Sequence, residues 1–430
     1  MEKQTKRKIF FSVFSAFSFL VFAAVLTTST FNFNGSQIKD QSAHYFTKTS
    51  LNELQTLNGE HKMFMNDLLN SQNSPLRAEL LDANVLNANS ATAQKYTGLI
   101  AYAKTSQDTS SANPKKDSIF LLEPSKELSN QQLHSLAQEY QQKIPEFVNV
   151  EVDQKAKLTD NNQSPTSSTL ESTMENTQEN APADKDKTDK SVRVAVIDSG
   201  IDPTHEIFQN KKVEKGWNEL SNNDDMYDDI GHGTHIAGII ERESQNVTLI
   251  PYKVVNTQDG KLSHVLAALN QAIENHANVI NMSLAFDEDS YALKELIHEA
   301  AQQNIVVVAA AGNSGNSVPE YPAGYQDTIS VASVDDFNEK MADSDYGNWV
   351  SVAAYGFRVL SSIPGDQYDR KSGTSQATAF VTSAVANMLL NQNNPLTLEE
   401  VKSQLKKTAP VMGNGLLSNI PIVKTGENEE

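Results

Sequence analysis

Beyond about residue 190 the chain alternates between short continuous apolar runs and longer stretches in which apolar residues recur every three or four positions. The runs at 192–197, 249–255, 279–282, 305–310 and 329–334 are rich in Val and Ile and bounded by Gly, Asp, Asn or Pro. Parallel strands buried on both faces have this pattern. Helical periodicity fills the gaps at 235–242, 263–275, 291–303, 378–390 and 398–405. The alternation predicts an α/β fold, a mostly parallel sheet with helices on both faces. Sites in such sheets gather beyond the C-terminal ends of the strands.

Upstream, residues 46–157 give a different pattern. Leu51, Leu54, Leu57, Phe64, Leu68 and Leu69 predict a helix. Strands are expected at 97–103, at 118–122, and at 148–152 where Val148, Val150 and Val152 alternate with polar residues. Between the last two, Leu133, Leu136, Tyr140 and Ile144 share one helical face behind a possible capping box of Ser129 and Gln132. The result is a small α+β module built on β-α-β. From 158 to 190 apolar residues nearly vanish, which predicts a disordered linker, because such a stretch cannot offset its ordering entropy. At the start, Lys3, Lys6, Arg7 and Lys8 precede an apolar run from Ile9 to about Leu26, the pattern of an export signal. An uncleaved membrane anchor is the alternative, since about 18 apolar residues approach spanning length. The expected divisions are a signal or anchor at 1–33, a small unit at 34–157, the linker at 158–190 and the large unit at 191–430.

Charge and composition narrow the functions. The 430 residues carry 35 Lys and Arg against 54 Asp and Glu, a net charge of −19. That argues against sequence-independent nucleic-acid binding, which needs a basic surface, and leaves cationic partners open. With no cysteine in the chain, disulfides, thiolate metal sites and a cysteine nucleophile are excluded.

Three segments fall where the strand-end rule puts a site. Asp198 closes an apolar strand before Ser199 and Gly200; taken alone it reads as a turn residue. His232 lies in Gly231-His232-Gly233-Thr234-His235 at a helix start, which alone reads as a glycine-rich turn. A metal reading of His232 and His235 lacks both an H-E-x-x-H pattern and a third ligand. Ser375, in Ser372-Gly373-Thr374-Ser375-Gln376-Ala377, alone reads as a helix cap. Together they supply a serine nucleophile, an imidazole to take its proton and a carboxylate to orient the imidazole. The acidic residues Asp224, Asp225, Asp228 and Asp229 before His232 read as a solvated loop, or as a negative rim to the site.

The three motifs, in the order Asp, His, Ser, resemble the signatures of the subtilisin-like serine proteases over about 192–410. The resemblance implies a subtilisin-like sheet and the roles of a catalytic triad for Asp198, His232 and Ser375. It implies an oxyanion donor in Asn313, which follows Ala311 and Gly312 and otherwise reads as a turn residue before Gly315. Ser283, Leu284 and Ala285 resemble the segment that pairs with an extended substrate, and Ala285 with Phe286, in place of glycines, imply a narrower cleft. Glu320 aligns with the floor of the primary specificity pocket, where a carboxylate favours Lys or Arg before the scissile bond; a solvated loop glutamate is the bland reading. Only 241–247 intervene between the His helix and Thr248, so the long calcium loop of many relatives is missing and no cofactor is expected to be required.

The small unit then resembles a subtilase propeptide, an intramolecular inhibitor and folding aid removed by self-cleavage. A basic preference predicts cleavage after Lys185, Lys187 or Lys190; an acidic one, after Glu175 or Glu179. The short catalytic domain, export signal and lack of cysteine look most like the leader peptidases that mature lantibiotics. The expected partners are a precursor-peptide substrate and the chain's own propeptide, with the membrane touched only through the N-terminal segment. A broad-specificity degradative subtilase and a catalytically silent peptide-binding pseudoprotease are the rival readings.

Overall fold

The structure, a computed structural model, describes residues 76–80, 98–103, 118–124, 130–143, 147–160, 190–257, 259–409 and 411–423. The export segment, the helix expected at 51–69 and most of the linker lie outside the described residues.

The small unit is a four-stranded antiparallel sheet of β1 (Leu76–Leu80), β2 (Leu99–Ala103), β3 (Ser118–Pro124) and β4 (Phe147–Val152), in the order β1-β3-β2-β4. Helix α1 (Asn130–Lys143) joins β3 to β4 and buries Leu133 and Ala137. The strands expected at 97–103, 118–122 and 148–152 are present, and β1 is an additional one. Its Leu-Arg-Ala-Glu-Leu sequence has no β-branched residue and little local strand preference, so pairing with β3 decides its conformation.

After β4 the chain forms β5 (Lys157–Leu158) and stays largely buried through Thr159 and Asp160. These are the first residues of the expected linker. They are ordered by pairing with the large unit, a long-range contact that local composition does not carry.

The large unit holds β6 (Val192–Asp198), β7 (Lys212–Val213), β8 (Trp217–Asn218), α2 (Gly233–Glu243), β9 (Val247–Lys253), α3 (Leu262–Glu274), β10 (Val279–Met282), β11 (Leu284–Ala285) and α4 (Tyr291–Gln302). It continues through β12 (Val306–Ala310), β13 (Ile329–Val334), β14 (Val352–Tyr355), the hairpin β15 (Val359–Ile363) and β16 (Gln367–Lys371), α5 (Thr374–Leu390), α6 (Leu398–Thr408), β17 (Val411–Met412) and β18 (Pro421–Ile422). The sheet order is β17-β18-β14-β13-β12-β10-β6-β9-β7, with β8 also beside β9, and every pairing but β17 with β18 is parallel. The five expected strands form its centre.

Strand alternation feeds two cores. Val194, Val196, Val279, Val306 and Val308 face α2, α5 and α6, whereas Ala195, Ile197, Ile280, Met282 and Val307 face α3 and α4. Every residue of β9, β10, β12, β13 and β14 is buried. Helices therefore cover both faces, as the sequence pattern requires. Ile100, Tyr102 and Ile119 of the small unit join the α3/α4 core, and the Tyr102 ring meets the edge of Tyr291 on α4 at 5.2 Å.

Candidate active site

Asp198 ends β6, His232 stands at the N-terminus of α2, and Ser375 opens α5. Residues 34 and 143 positions apart thus converge at the C-terminal edge of the sheet. The Nδ1 of His232 lies 2.7 Å from Asp198 Oδ1, and its Nε2 lies 3.0 Å from Ser375 Oγ. All three side chains are fully buried. The second hydrogen bond on Asp198 Oδ1 comes from Ser199 N at 2.7 Å. An acceptor fixed in this way holds the proton on Nδ1 and leaves Nε2 free to accept one from Ser375. Burial, the largest influence on His232, pulls its pKa down; Asp198 and then Asp160 raise it and prevail, so the imidazole is more basic than usual.

The loop before His232 is organised from inside. Asp228 is buried and accepts hydrogen bonds from Ser199 Oγ, Ile230 N, Gly231 N, Thr234 N and Thr234 Oγ1. Ser199 Oγ in turn accepts from Gly233 N at 2.8 Å. Asp228 therefore locks β6 to the start of α2 and fixes the angle at which His232 meets Asp198. It is no part of a negative rim. Asp229 pairs with Lys253 and Asp224 with Lys215, and these two, like Asp225, are exposed, so three of the four are acids of a solvated loop. His235 is tied into the fold instead of a metal site: its Nε2 lies 3.1 Å from Val359 O, and burial first, then Lys371, pushes its pKa well down. Among the described residues no group of three or more His, Asp or Glu could hold a metal. The connection from α2 to β9 is short, Ser244, Gln245 and Asn246.

Ala311 and Gly312 follow β12 and lead to Asn313. The Oδ1 of Asn313 accepts from Thr374 N at 3.1 Å, which turns its amide toward Ser375; its Nδ2 is a buried donor with no hydrogen-bond partner among the described residues. Gly373, at φ 149°, leaves the gap beside it open: a Cβ there would meet Asn313 Nδ2 and Thr159 O, each at 2.9 Å, and Asp160 Cα at 3.1 Å. Ser375 N donates to Thr159 O at 3.1 Å. Ser375 N thus holds the Thr159 carbonyl oxygen, while Asn313 Nδ2, without a hydrogen-bond partner among the described residues, borders the same gap beside Gly373; a developing oxyanion is stabilised by donors of this kind.

The chain's own residues 154–160 fill the cleft. Leu158 pairs antiparallel with Leu284 and Lys157 with Ala285, while Thr159 N donates to Ser283 O at 3.3 Å. On the other side Ala156 N donates to Gly260 O at 2.9 Å and Leu262 N to Gln154 O at 2.8 Å. The segment is a strand laid between two edges, recognised through its backbone. Phe286 is fully buried in the core against which Ala156 and Leu158 pack. Glu320 is half-buried, accepts from Ser314 Oγ at 3.0 Å and sits against Gly312, where an added Cβ would come within 2.5 Å of Glu320 Oε2. Burial chiefly raises its pKa. Gly260, Asp287 and Lys371 were not expected at the site, nor was Asp228 in a structural role; Lys371 lies on β16, whose exposed polar sequence gives no apolar signal.

A parallel sheet with an Asp-His-Ser relay at the carboxyl ends of its strands defines a site built for nucleophilic attack by serine. Residues 189–426 match the subtilase family, and the chain belongs to that family. It is 35% identical over 244 residues to the thermophilic serine proteinase of Bacillus sp. (strain AK1), covering 54% of this chain and 60% of that protein. It is 36% identical over 242 residues to subtilisin of Bacillus pumilus, covering 53% of this chain and 86% of that one. The crystal structure of a cold-adapted subtilisin-like serine proteinase superimposes with a TM-score of 0.51 at 28% identity, over 54% of this chain and 87% of that one.

Proposed function

We propose that this chain is a secreted serine endopeptidase made as a self-processing zymogen, in which Ser375 is the nucleophile, His232 the general base and Asp198 the orienting carboxylate. The observation that carries this reading is the relay itself, aimed at a carbonyl that Ser375 N already binds, with the Asn313 amide left as an unused donor beside it. Ser375 Oγ attacks the carbonyl carbon while its proton passes to His232 Nε2; the imidazolium then protonates the leaving amine, and water repeats the sequence to free the acid. Ser375 N and Asn313 Nδ2 hold the oxyanion, and Ser283, Leu284 and Ala285 hold the substrate backbone.

The substrate we assign is a lantibiotic-type precursor peptide, cut after a basic residue at the end of its leader. The short catalytic unit and cysteine-free chain support the substrate class, and the half-buried carboxyl of Glu320 beside Ala311 and Gly312 supports the basic preference. Residues 34–157 act as the inhibitor and folding aid. No metal is assigned a role, so EDTA should leave activity unchanged. The test is to label the purified protein with a fluorophosphonate and offer it a leader-bearing precursor beside casein. Labelling lost in Ser375→Ala and a single cut after Lys or Arg are expected. Casein degradation would favour a broad degradative enzyme, and absent labelling a silent peptide binder.

A further inference from the structure

We propose that the first bond this chain cuts is its own Thr159–Asp160 bond, and that Lys371 and Asp287 read the residues flanking it: an acid just after the cut and a base two residues before the new carboxyl end. The inference rests on the serine-protease reading and deepens it by naming the first substrate.

The position of the bond follows from which carbonyl occupies the oxyanion pocket. Thr159 O accepts from Ser375 N at 3.1 Å and Thr159 N donates to Ser283 O, so this residue is held on both sides, and its carbonyl is the one on the nucleophile's own backbone N–H. Its hydroxyl lies 2.7 Å from Ser375 Oγ, so the nucleophile stands directly beside this residue of the tail. Asp160 follows on the leaving side, where Gly373 gives its Cα room and its carboxyl lies 3.4 Å from Lys371 Nζ and 4.0 Å from His232 Nε2. Asp160 and Lys371 are only 3% and 15% exposed, so the ion pair is little screened. Lys157 pairs with Asp287 at the rim, where both are about half exposed. The chain thus presents Ala156-Lys157-Leu158-Thr159 before the cut and Asp160 after it, with a charge of opposite sign waiting for each charged residue.

In the reaction the Ser375 Oγ to Thr159 carbon bond forms as His232 takes the hydroxyl proton. The Thr159 carbon to Asp160 nitrogen bond breaks as that proton is delivered to the nitrogen. Water then hydrolyses the ester, leaving a Thr159 carboxylate and a free amino group on Asp160. This cut differs from those expected after Lys185, Lys187 or Lys190. A bond presented in the same chain has an effective concentration in the millimolar range or above, so it does not need the ion pair that Glu320 offers to a separate substrate.

The test is a time course of the full chain, with each product's N-terminus sequenced. The first new terminus should read Asp160-Asn161-Asn162-Gln163, and it should be missing in Ser375→Ala. Asp160→Lys should slow that cut roughly 10-fold, and Lys371→Asp in the same chain should restore it. Lys157→Asp should slow it only about 2- to 3-fold, with recovery by Asp287→Lys, because that pair is exposed. A first terminus after Lys190, or charge swaps that fail to compensate, would overturn the proposal while leaving the protease reading intact. A chain that is never cut and takes no fluorophosphonate would sink both.

Discussion

The two units meet the same requirement, burying apolar surface, in opposite ways. The large unit does it internally: β10, β12, β13 and β14, neighbours in the sheet, and β9 beyond β6 are buried along their whole length, and two helical layers close both faces. The small unit, which among the described residues has one helix for its four strands, completes its burial on the other unit, through Ile100, Tyr102 and Ile119 against α3 and α4. Its carboxylates do the same for polar groups. Glu151 accepts from Ser290 Oγ, Tyr291 N and Ala292 N at the start of α4, and Asp153 from Ser263 N and Oγ at the start of α3. Two helix N-termini of the large unit, where backbone N–H groups lack partners and the dipole favours anions, are thus satisfied from outside. One unit is self-sufficient and the other is shaped as its ligand.

The largest effect should come from Ser375→Ala, which breaks function and leaves both folds intact. Turnover should drop by about 10⁶-fold, the magnitude already established for this class of triad. The uncut chain should then keep its two units together on gel filtration. Asn313→Ala should lower kcat by about 10²–10³-fold with little change in KM, a figure known from this family, because the Nδ2 donor has no partner among the described residues and is used only when the oxyanion forms.

Core truncations sharpen the contrast. Leu133→Ala in α1 and Ile280→Ala in β10 each remove a fully buried side chain and should each cost about 2–5 kcal/mol. The small unit has less stability to lose. Hydrogen exchange should therefore find β2 and β3 opened in Leu133→Ala with β10 and β12 still protected, whereas Ile280→Ala should leave every strand protected but lower the melting temperature of the whole. Glu151→Ala should weaken the grip of the severed small unit by about 1–3 kcal/mol, read as a rise in its inhibition constant.

The smallest effect is on pH. The general base must be neutral, so activity falls as pH drops through the pKa of His232. Asp160 is one of the two carboxylates that raise this pKa against burial, with Lys371 opposing. Asp160→Asn should therefore move the acid limb of the self-cleavage rate to lower pH. An unmoved limb would mean that Asp198 alone sets the basicity of His232.

The alternation of buried strands and amphipathic helices made the centre of the large unit legible, and the three motifs located Asp198, His232 and Ser375 without any view of their distances. What escaped has a shared physical cause. β16, Gln-Tyr-Asp-Arg-Lys, is held by pairing with β15, and its polar sequence, with Asp369 and Arg370 exposed and Lys371 turned to Asp160, leaves no apolar period to mark it. Residues 158–160 read as the head of a linker because their order comes from the large unit, where Leu158 pairs with Leu284, more than a hundred positions away. Asp228 read as one more acid in an acidic loop, since nothing local tells a buried carboxylate that gathers five donors from a solvated one.

The pairing of β5 with β11 has a kinetic consequence. Before the cut, the strand in the cleft is tethered and no dilution can remove it. After the cut it is a separate molecule, and its hold on the cleft becomes a second-order equilibrium. The onset of activity should then depend on how thinly the protein is spread: a concentrated sample, though fully cleaved, would show a long lag, and the same sample diluted would switch on promptly. The fold would serve in this way as a sensor of having left a crowded place.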